Sequence, residues 1–192
     1  MDNETATALT DVILSFGTIA LGLTVGPRKF KHLWMAFFIM LSIAALLGAI
    51  YHGTVQFHTP SFWILVSISS VTSAFLLLAA CISVTKPNLP WLNIFWPVLG
   101  FIGILIGGLV APLPFIYISI VSGFCLITAA LTLTKAPASK ARSWIYTGMA
   151  VTIFGLVIRE VTNFDGLLSR NALFHLIQLA GNFLFWKGAR KT

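Results

Sequence analysis

The sequence predicts an all-α, polytopic membrane protein: seven transmembrane helices forming one domain over residues 1–192, with the N-terminus outside and the C-terminus cytoplasmic. Three observations predict it. The chain is 58% hydrophobic and only 9% charged, far below the roughly 25% charged residues of a typical soluble domain, and its mean hydropathy is +0.95. Its apolar residues fall into seven runs, each near the roughly 20 residues that cross a hydrocarbon layer. Its cations collect in alternate loops, which gives the bundle a direction.

The first run, Ala8–Gly26, follows "MDNETATALTD", a segment with acids and no Lys or Arg. Lacking the basic start of a secretory signal, it is expected to remain in the mature protein. The later runs are Leu33–Gly53, Phe62–Val84, Trp91–Val110, Leu113–Thr134, Ser143–Glu160 and Leu167–Trp186. Between them stand "GPRKFKH", "HTPSF", "TKPNLPW", "APLP", "KAPASKAR" and "NFDG", whose Pro, Gly and Asn end helices. Trp34, Trp63, Trp91, Trp96, Trp144 and Trp186 lie close to run ends, where membrane-interface aromatics are expected. No connection is long enough for a second domain, and an odd number of helices does not suit a simple two-fold duplication.

Numbering the loops alternately puts Arg28, Lys29, Lys31, Lys86, Lys135, Lys140, Arg142, Lys187, Arg190 and Lys191 on one side. Only Arg159 and Arg170 fall on the other, together with all the acids: Asp2, Glu4, Asp11, Glu160 and Asp165. The basic side is cytoplasmic, so the expected location is a bacterial inner membrane or a plasma membrane. A net charge of +7 distributed in this way reports orientation and not a nucleic-acid partner; the expected partner is membrane lipid. Cys81 and Cys125 sit inside apolar runs without CxxC or Cys/His spacing and read as packing residues.

With the direction set, His52 ends the second run, His175 stands about two turns into the seventh, Asp11 lies in the first, and Arg159 and Glu160 close the sixth. All fall in the outer half of the membrane, where ionisable groups are costly unless paired or facing a cavity. His175, Gln178 and Asn182 stand at i, i+3 and i+7 on one helix face, and Asn171 is one turn before His175. Glu4, Asp11, Ser15 and Thr18 draw a similar stripe on the first helix, while Ala45 and Gly48 leave the face of His52 open to close approach. Each residue has a plain structural reading too. His52 can be an interfacial residue, Gln178 and Asn182 interhelical glue, and Arg159 and Glu160, about 100° apart on the helix, an anchor. His32 and His58 read as solvated.

Imidazole nitrogen and carboxylate oxygen are zinc's usual non-thiolate ligands, three of them with one open position in a catalytic site. His52 and His175 supply two, with Asp11 as the first candidate for the third and Glu160 as the second. Water on such an ion attacks esters and amides near neutral pH. No spacing such as HExxH or HxxxH is present.

The segments "GAIYHG" and "NALFHLIQ" resemble the end of the second helix and the start of the seventh in the superfamily of alkaline ceramidases and the progestin and adipoQ receptors. The resemblance covers the seven-helix plan and these two short motifs. It implies an intramembrane zinc hydrolase of a lipid amide, with Zn2+ on His52 and His175. The residues themselves put forward an amide or ester substrate, Asp11 and Glu160 as catalytic groups, and Arg159, Asn171, Gln178 and Asn182 around a polar cavity. The chain departs from the pattern at three places. Gly48 stands where those proteins carry serine, Asn171 and Leu179 flank His175 where they carry a second histidine, and "SFWILVSISS" offers serines in place of an aspartate. Either the site is rebuilt from Asp11, Glu160 or Asn171, or the scaffold is kept without the chemistry. The alternative function is a transporter, channel or receptor that uses the same outer cavity for an ion, proton or small ligand, and a haem held by the two histidines is a further reading.

Overall fold

The computed structural model describes residues 3–26, 31–85, 95, 98, 100, 102–103, 115–161 and 169–192. The expected span Trp91–Val110 falls almost wholly outside these residues, as do Arg28, Lys29, Lys86 and Asp165. Among the described residues the chain is helical, with six α-helices: α1 (Asn3–Leu23), α2 (Lys31–Gly53), α3 (Pro60–Thr85), α4 (Phe115–Leu133), α5 (Lys140–Val161) and α6 (Arg170–Ala189). A 3-10 turn, Val55–Phe57, lies between α2 and α3. Four of the helices, α1, α2, α3 and α5, are long and apolar enough to cross a membrane.

The boundaries follow capping rather than hydropathy. α1 begins ahead of the expected Ala8, because a helix can continue past the apolar run that buries it. α3 starts at Pro60, which as the first helical residue has no N–H to leave unpaired, and the Thr59 hydroxyl accepts the N–H of Phe62 at 3.2 Å. At the head of α5 the Ser139 hydroxyl accepts the N–H of Arg142 at 3.2 Å, and the Arg142 guanidinium donates to the Ala136 carbonyl. α6 begins three residues later than the expected Leu167, because Ser169 caps it by accepting the N–H of Ala172 at 3.1 Å.

The helices pack in chain order, each on the next, and α6 returns to α1. The register follows from specific pairs. Along α1 the contacts with α2 descend, from Glu4 with His52 to Ser15 with Ser42, so the two are antiparallel. The contacts of α1 with α6 ascend, from Thr7 with Ser169 through Thr10 with His175 to Thr24 with Trp186, so these two are parallel. α3 and α4 are parallel as well, since Trp63 meets Phe115 and Val71 packs with Ile118.

Midway along α1 and α2, the Ser15 and Ser42 hydroxyls each donate to the other's backbone carbonyl at 3.0 Å. Hydrogen bonds of this kind between helices in an apolar medium average about 0.6 kcal/mol. One end of the ring is filled by an apolar cluster that includes Trp34, Phe38, Leu78, Ile145 and Phe185. Cys81 and Cys125 are free thiols buried in it. Trp34, expected at a membrane interface, is fully buried there against Phe37 with its indole N–H unpartnered; the ring faces its neighbours because its side of α2 is the one the bundle covers. Large apolar residues such as Phe16, Leu23, Phe124 and Phe154 point outward.

α5 and α6 approach closely at Gly148 and Gly181, where a side chain on either would meet the other helix. A Cβ on Gly181 would stand 2.6 Å from the Thr152 hydroxyl, and one on Gly148 would stand 2.8 Å from the Phe185 ring. Gly181→Val must therefore separate the two backbones. Overpacking of this kind costs about 1–3 kcal/mol, and the expected outcome is a lowered Tm of the purified protein, whereas an unchanged Tm removes this account of the contact.

Candidate functional site

The end of the ring opposite the apolar cluster is polar, and the polarity begins on α1. Thr7, Thr10, Asp11, Ser15 and Thr18 are all buried on one edge of that helix, at the spacing that puts them on a single face. The threonines meet part of their own need by returning hydrogen bonds to the backbone. Thr10 donates to the carbonyl of Ala6 or Thr7, at 3.1 and 2.9 Å, and Thr18 to that of Leu14 at 2.8 Å. Glu4 and Asp11, two turns apart, have no such local outlet and reach for neighbouring helices.

Each meets a histidine. Glu4 Oε2 lies 2.7 Å from His52 Nδ1 on α2, a distance typical of a charge-assisted hydrogen bond. Asp11 Oδ1 lies 3.3 Å from His175 Nδ1 on α6, and the Thr10 hydroxyl is 3.2 Å from the same nitrogen. The two contacts are unequal. Glu4 is largely exposed, whereas the Asp11 side chain keeps only 5% of its accessible surface, and Asp11 Oδ2 has no hydrogen-bond partner. Space for that carboxylate comes from Gly48, since a Cβ there would stand 2.8 Å from Oδ2.

A third group comes from α5. Arg159 Nε donates to Asn171 Oδ1 at 2.8 Å, its guanidinium lies 3.1 Å from the centre of the Phe115 ring, and it pairs with Glu160 at 2.5 Å. The long side chains bridge the 100° between adjacent positions. Arg159 faces inward, while Glu160 also accepts from Ser119 at 3.4 Å.

Several of these groups border one cavity of about 150 Å³ between the helices. Asp11, His52, Arg159, Asn171, His175, Gln178 and Asn182, all expected from the sequence as site residues, line it; Glu160 stands outside the wall, behind Arg159. Its other sides are mostly apolar, with Phe37, Leu41, Leu77, Leu126 and Phe185 among them, interrupted by hydroxyls such as Ser70, Ser122 and Thr152. Deep in the cavity, Asn182 is buried and its Nδ2 also lacks a hydrogen-bond partner.

The sequence reading missed the partners. Glu4 was a member of a stripe and not the group that holds His52, and Thr10 and Ser169 were not singled out. The seven-residue interval from Glu4 to Asp11 was the available signal, because it places two acids on one line of α1, each able to meet an imidazole. His58, expected to be solvated, lies with its ring 4.9 Å from that of Tyr51, which also contacts His52.

The fit to zinc turns on the ligand set. Among the described residues no three His, Cys, Asp or Glu side chains are grouped so as to hold a metal ion. His52 and His175, expected as ligands, have Nδ1 taken up by Glu4 and by Asp11 with Thr10. A carboxylate on Nδ1 leaves Nε2 as the nitrogen that would ligate, but among the described residues no third ligand is grouped with the two imidazoles to complete a catalytic zinc set. What the arrangement can do is hold a small polar group between two oriented imidazoles, a carboxylate and a paired guanidinium, beside an apolar wall.

A family model described as "Family of unknown function (DUF6962)" matches residues 6–192. The chain belongs to the DUF6962 family. The match runs from α1 to beyond the end of α6, so the entire candidate site except Glu4 lies within it. No curated protein and no solved structure matches the chain.

Proposed function

We propose that this DUF6962 protein is a seven-span membrane protein, N-terminus out and C-terminus in, that binds a small amphipathic molecule or the head of a lipid in the cavity between its helices. The number of spans is supported by the parallel packing of α3 and α4. α3 leaves at Thr85 and α4 begins at Phe115, beside Trp63 at the opposite end of α3, so the chain between them must return along the bundle. A span over Trp91–Val110, as read from the sequence, would meet that requirement. The direction rests on the sorting of Lys and Arg. A membrane-impermeant maleimide applied to intact cells is expected to label Thr5→Cys and not Thr192→Cys, and the reverse pattern overturns the orientation.

The observation that carries the binding reading is the composition of the cavity wall, apolar on several sides and polar at one end, with Asp11 Oδ2 and Asn182 Nδ2 both unpartnered. Small-molecule sites have this make-up, an apolar surface with few, placed polar groups, and a buried polar atom without a partner is one a ligand can satisfy. A cavity near 150 Å³ is of the size that takes benzene, so it suits a group of about six heavy atoms. Protein in lipid nanodiscs is expected to gain Tm in a panel of six-carbon amphiphiles differing in head group. Ser122→Phe, which fills the wall from α4, is expected to abolish the gain. No shift with any member of the panel sinks the reading.

The second reading is hydrolysis of a lipid amide or ester bound at the same place, as the superfamily resemblance implies, and the paired carboxylates and imidazoles favour it. A carboxylate on Nδ1 orients an imidazole and leaves Nε2 as the nitrogen that takes a proton from water. In this form Asp11 positions His175, His175 is the base, and the apolar wall takes the acyl portion. Wild-type protein is expected to cleave a short-chain lipid amide or ester, with His175→Ala slower by about 10²–10⁴-fold, the range of general-base catalysis. A preparation inert toward both classes of substrate removes the reading, and metal analysis of an active one decides whether zinc takes part.

A further inference from the structure

We infer that the cavity's ligand carries an ammonium group and that Asp11 Oδ2 is the atom that receives it. This deepens the binding reading above and rests on it. The argument begins with what Asp11 lacks. The carboxylate is 95% buried by side-chain surface, and of its two oxygens only Oδ1 has a neighbour that can donate. That neighbour, His175 Nδ1, is 3.3 Å away and shared with the Thr10 hydroxyl at 3.2 Å. A charge-assisted N–H to carboxylate bond closes to about 2.7–2.9 Å, the distance reached by Glu4 and His52 but not by Asp11 and His175. The bundle spends one imidazole fully on the exposed acid and only loosely on the buried one.

The remaining charges agree with a cationic guest. Arg159, the cation nearest the cavity, is matched by Glu160 at 2.5 Å and held on Asn171 and Phe115, so it neither neutralises Asp11 nor leaves a free anion-binding fork. Of the acids, Asp11 lines the cavity, whereas Glu4, paired with His52, and Glu160, paired with Arg159, stand outside its wall. An anionic head group would meet the Asp11 carboxylate and a guanidinium already matched by Glu160, and a neutral hydroxyl would leave a buried carboxylate without a counter-charge, which is the costly condition in an apolar medium. An ammonium supplies both the charge and the missing donor. Its hydrocarbon portion then extends along Phe37, Leu41 and Phe185 toward Asn182, about 10 Å further along the helix axis as measured by the seven residues from His175.

The test compares three molecules of one length: hexylamine, hexanol and hexanoate at neutral pH, titrated into the full chain in nanodiscs. Bilayer partition is subtracted using Ser122→Phe. The expected result is binding of hexylammonium about ten- to a hundredfold tighter than hexanol, the range for a hydrogen bond to a charged group, and little binding of hexanoate. In Asp11→Asn the preference for the amine is expected to vanish while hexanol binding stays. If hexanol or hexanoate binds as tightly as the amine, or if Asp11→Asn keeps the preference, the ammonium assignment is overturned and the cavity remains a binding site. If none of the three binds, both proposals fall. Should Asp11→Asn not fold, the ranking in the wild type decides alone.

Discussion

The structure depends on one constraint: a helix carrying acids into an apolar interior must find partners for them on other helices. α1 carries Asp11 inside, Glu4 at its exposed end and a row of hydroxyls on the edge that faces inward, and its pairings reach α2 on one side and α6 with its capping serine on the other. Ser15 goes to Ser42 and Glu4 to His52 on one side; Thr7 goes to Ser169 and Asp11 to His175 on the other. Because α2 follows α1 in sequence while α6 lies at the far end, these bonds are also what closes the ring. Contacts that close a ring of this length cross most of the chain, and each carries the entropy of bringing the ends together. Polar bonds suit that task, because an apolar face packs against many partners and a hydroxyl pair against few.

The two ends of the bundle divide the work. Aromatic and aliphatic side chains fill the end where Trp34, Phe38 and Phe185 meet, leaving no demand for a ligand. At the other end the side chains that would fill the space are replaced by serine, asparagine and glycine, and a cavity results. α4 and α5 are the neighbours that touch least, so the wall near Arg159 and Phe115 is held by the guanidinium and its partners more than by helix packing. Arg159 thus joins three elements: Glu160 beside it on α5, Asn171 on α6 and Phe115 on α4.

Much of this was legible in the sequence, and the limit has a physical form. Helices α1 to α6 stand where apolar runs predicted helices, because run length and punctuation are properties of the chain itself. The residues of the cavity wall were legible from depth and helical face. What could not be read was pairing. Sequence placed Asp11, His52 and His175 at one depth, but depth does not say which acid meets which base, and the answer depended on the rotation of α1 about its axis. That rotation is set by the serine pair and by the threonines, residues with no chemistry to attract notice. Trp34 differs for a related reason, since nearness to a helix end does not say which way a ring faces, and its side of α2 faces the bundle.

Gly48 shows how the site and the packing determine one another. Read against the superfamily, glycine at this position is a missing serine. In the structure it is the absence on which Asp11 depends, because any Cβ at 48 would meet both carboxylate oxygens within 3.2 Å. A side chain there would push the Asp11 carboxylate out of its present position. Gly48 thus sets where the acid stands in the cavity, and His52 pairs with Glu4 while the buried acid keeps an oxygen without a partner.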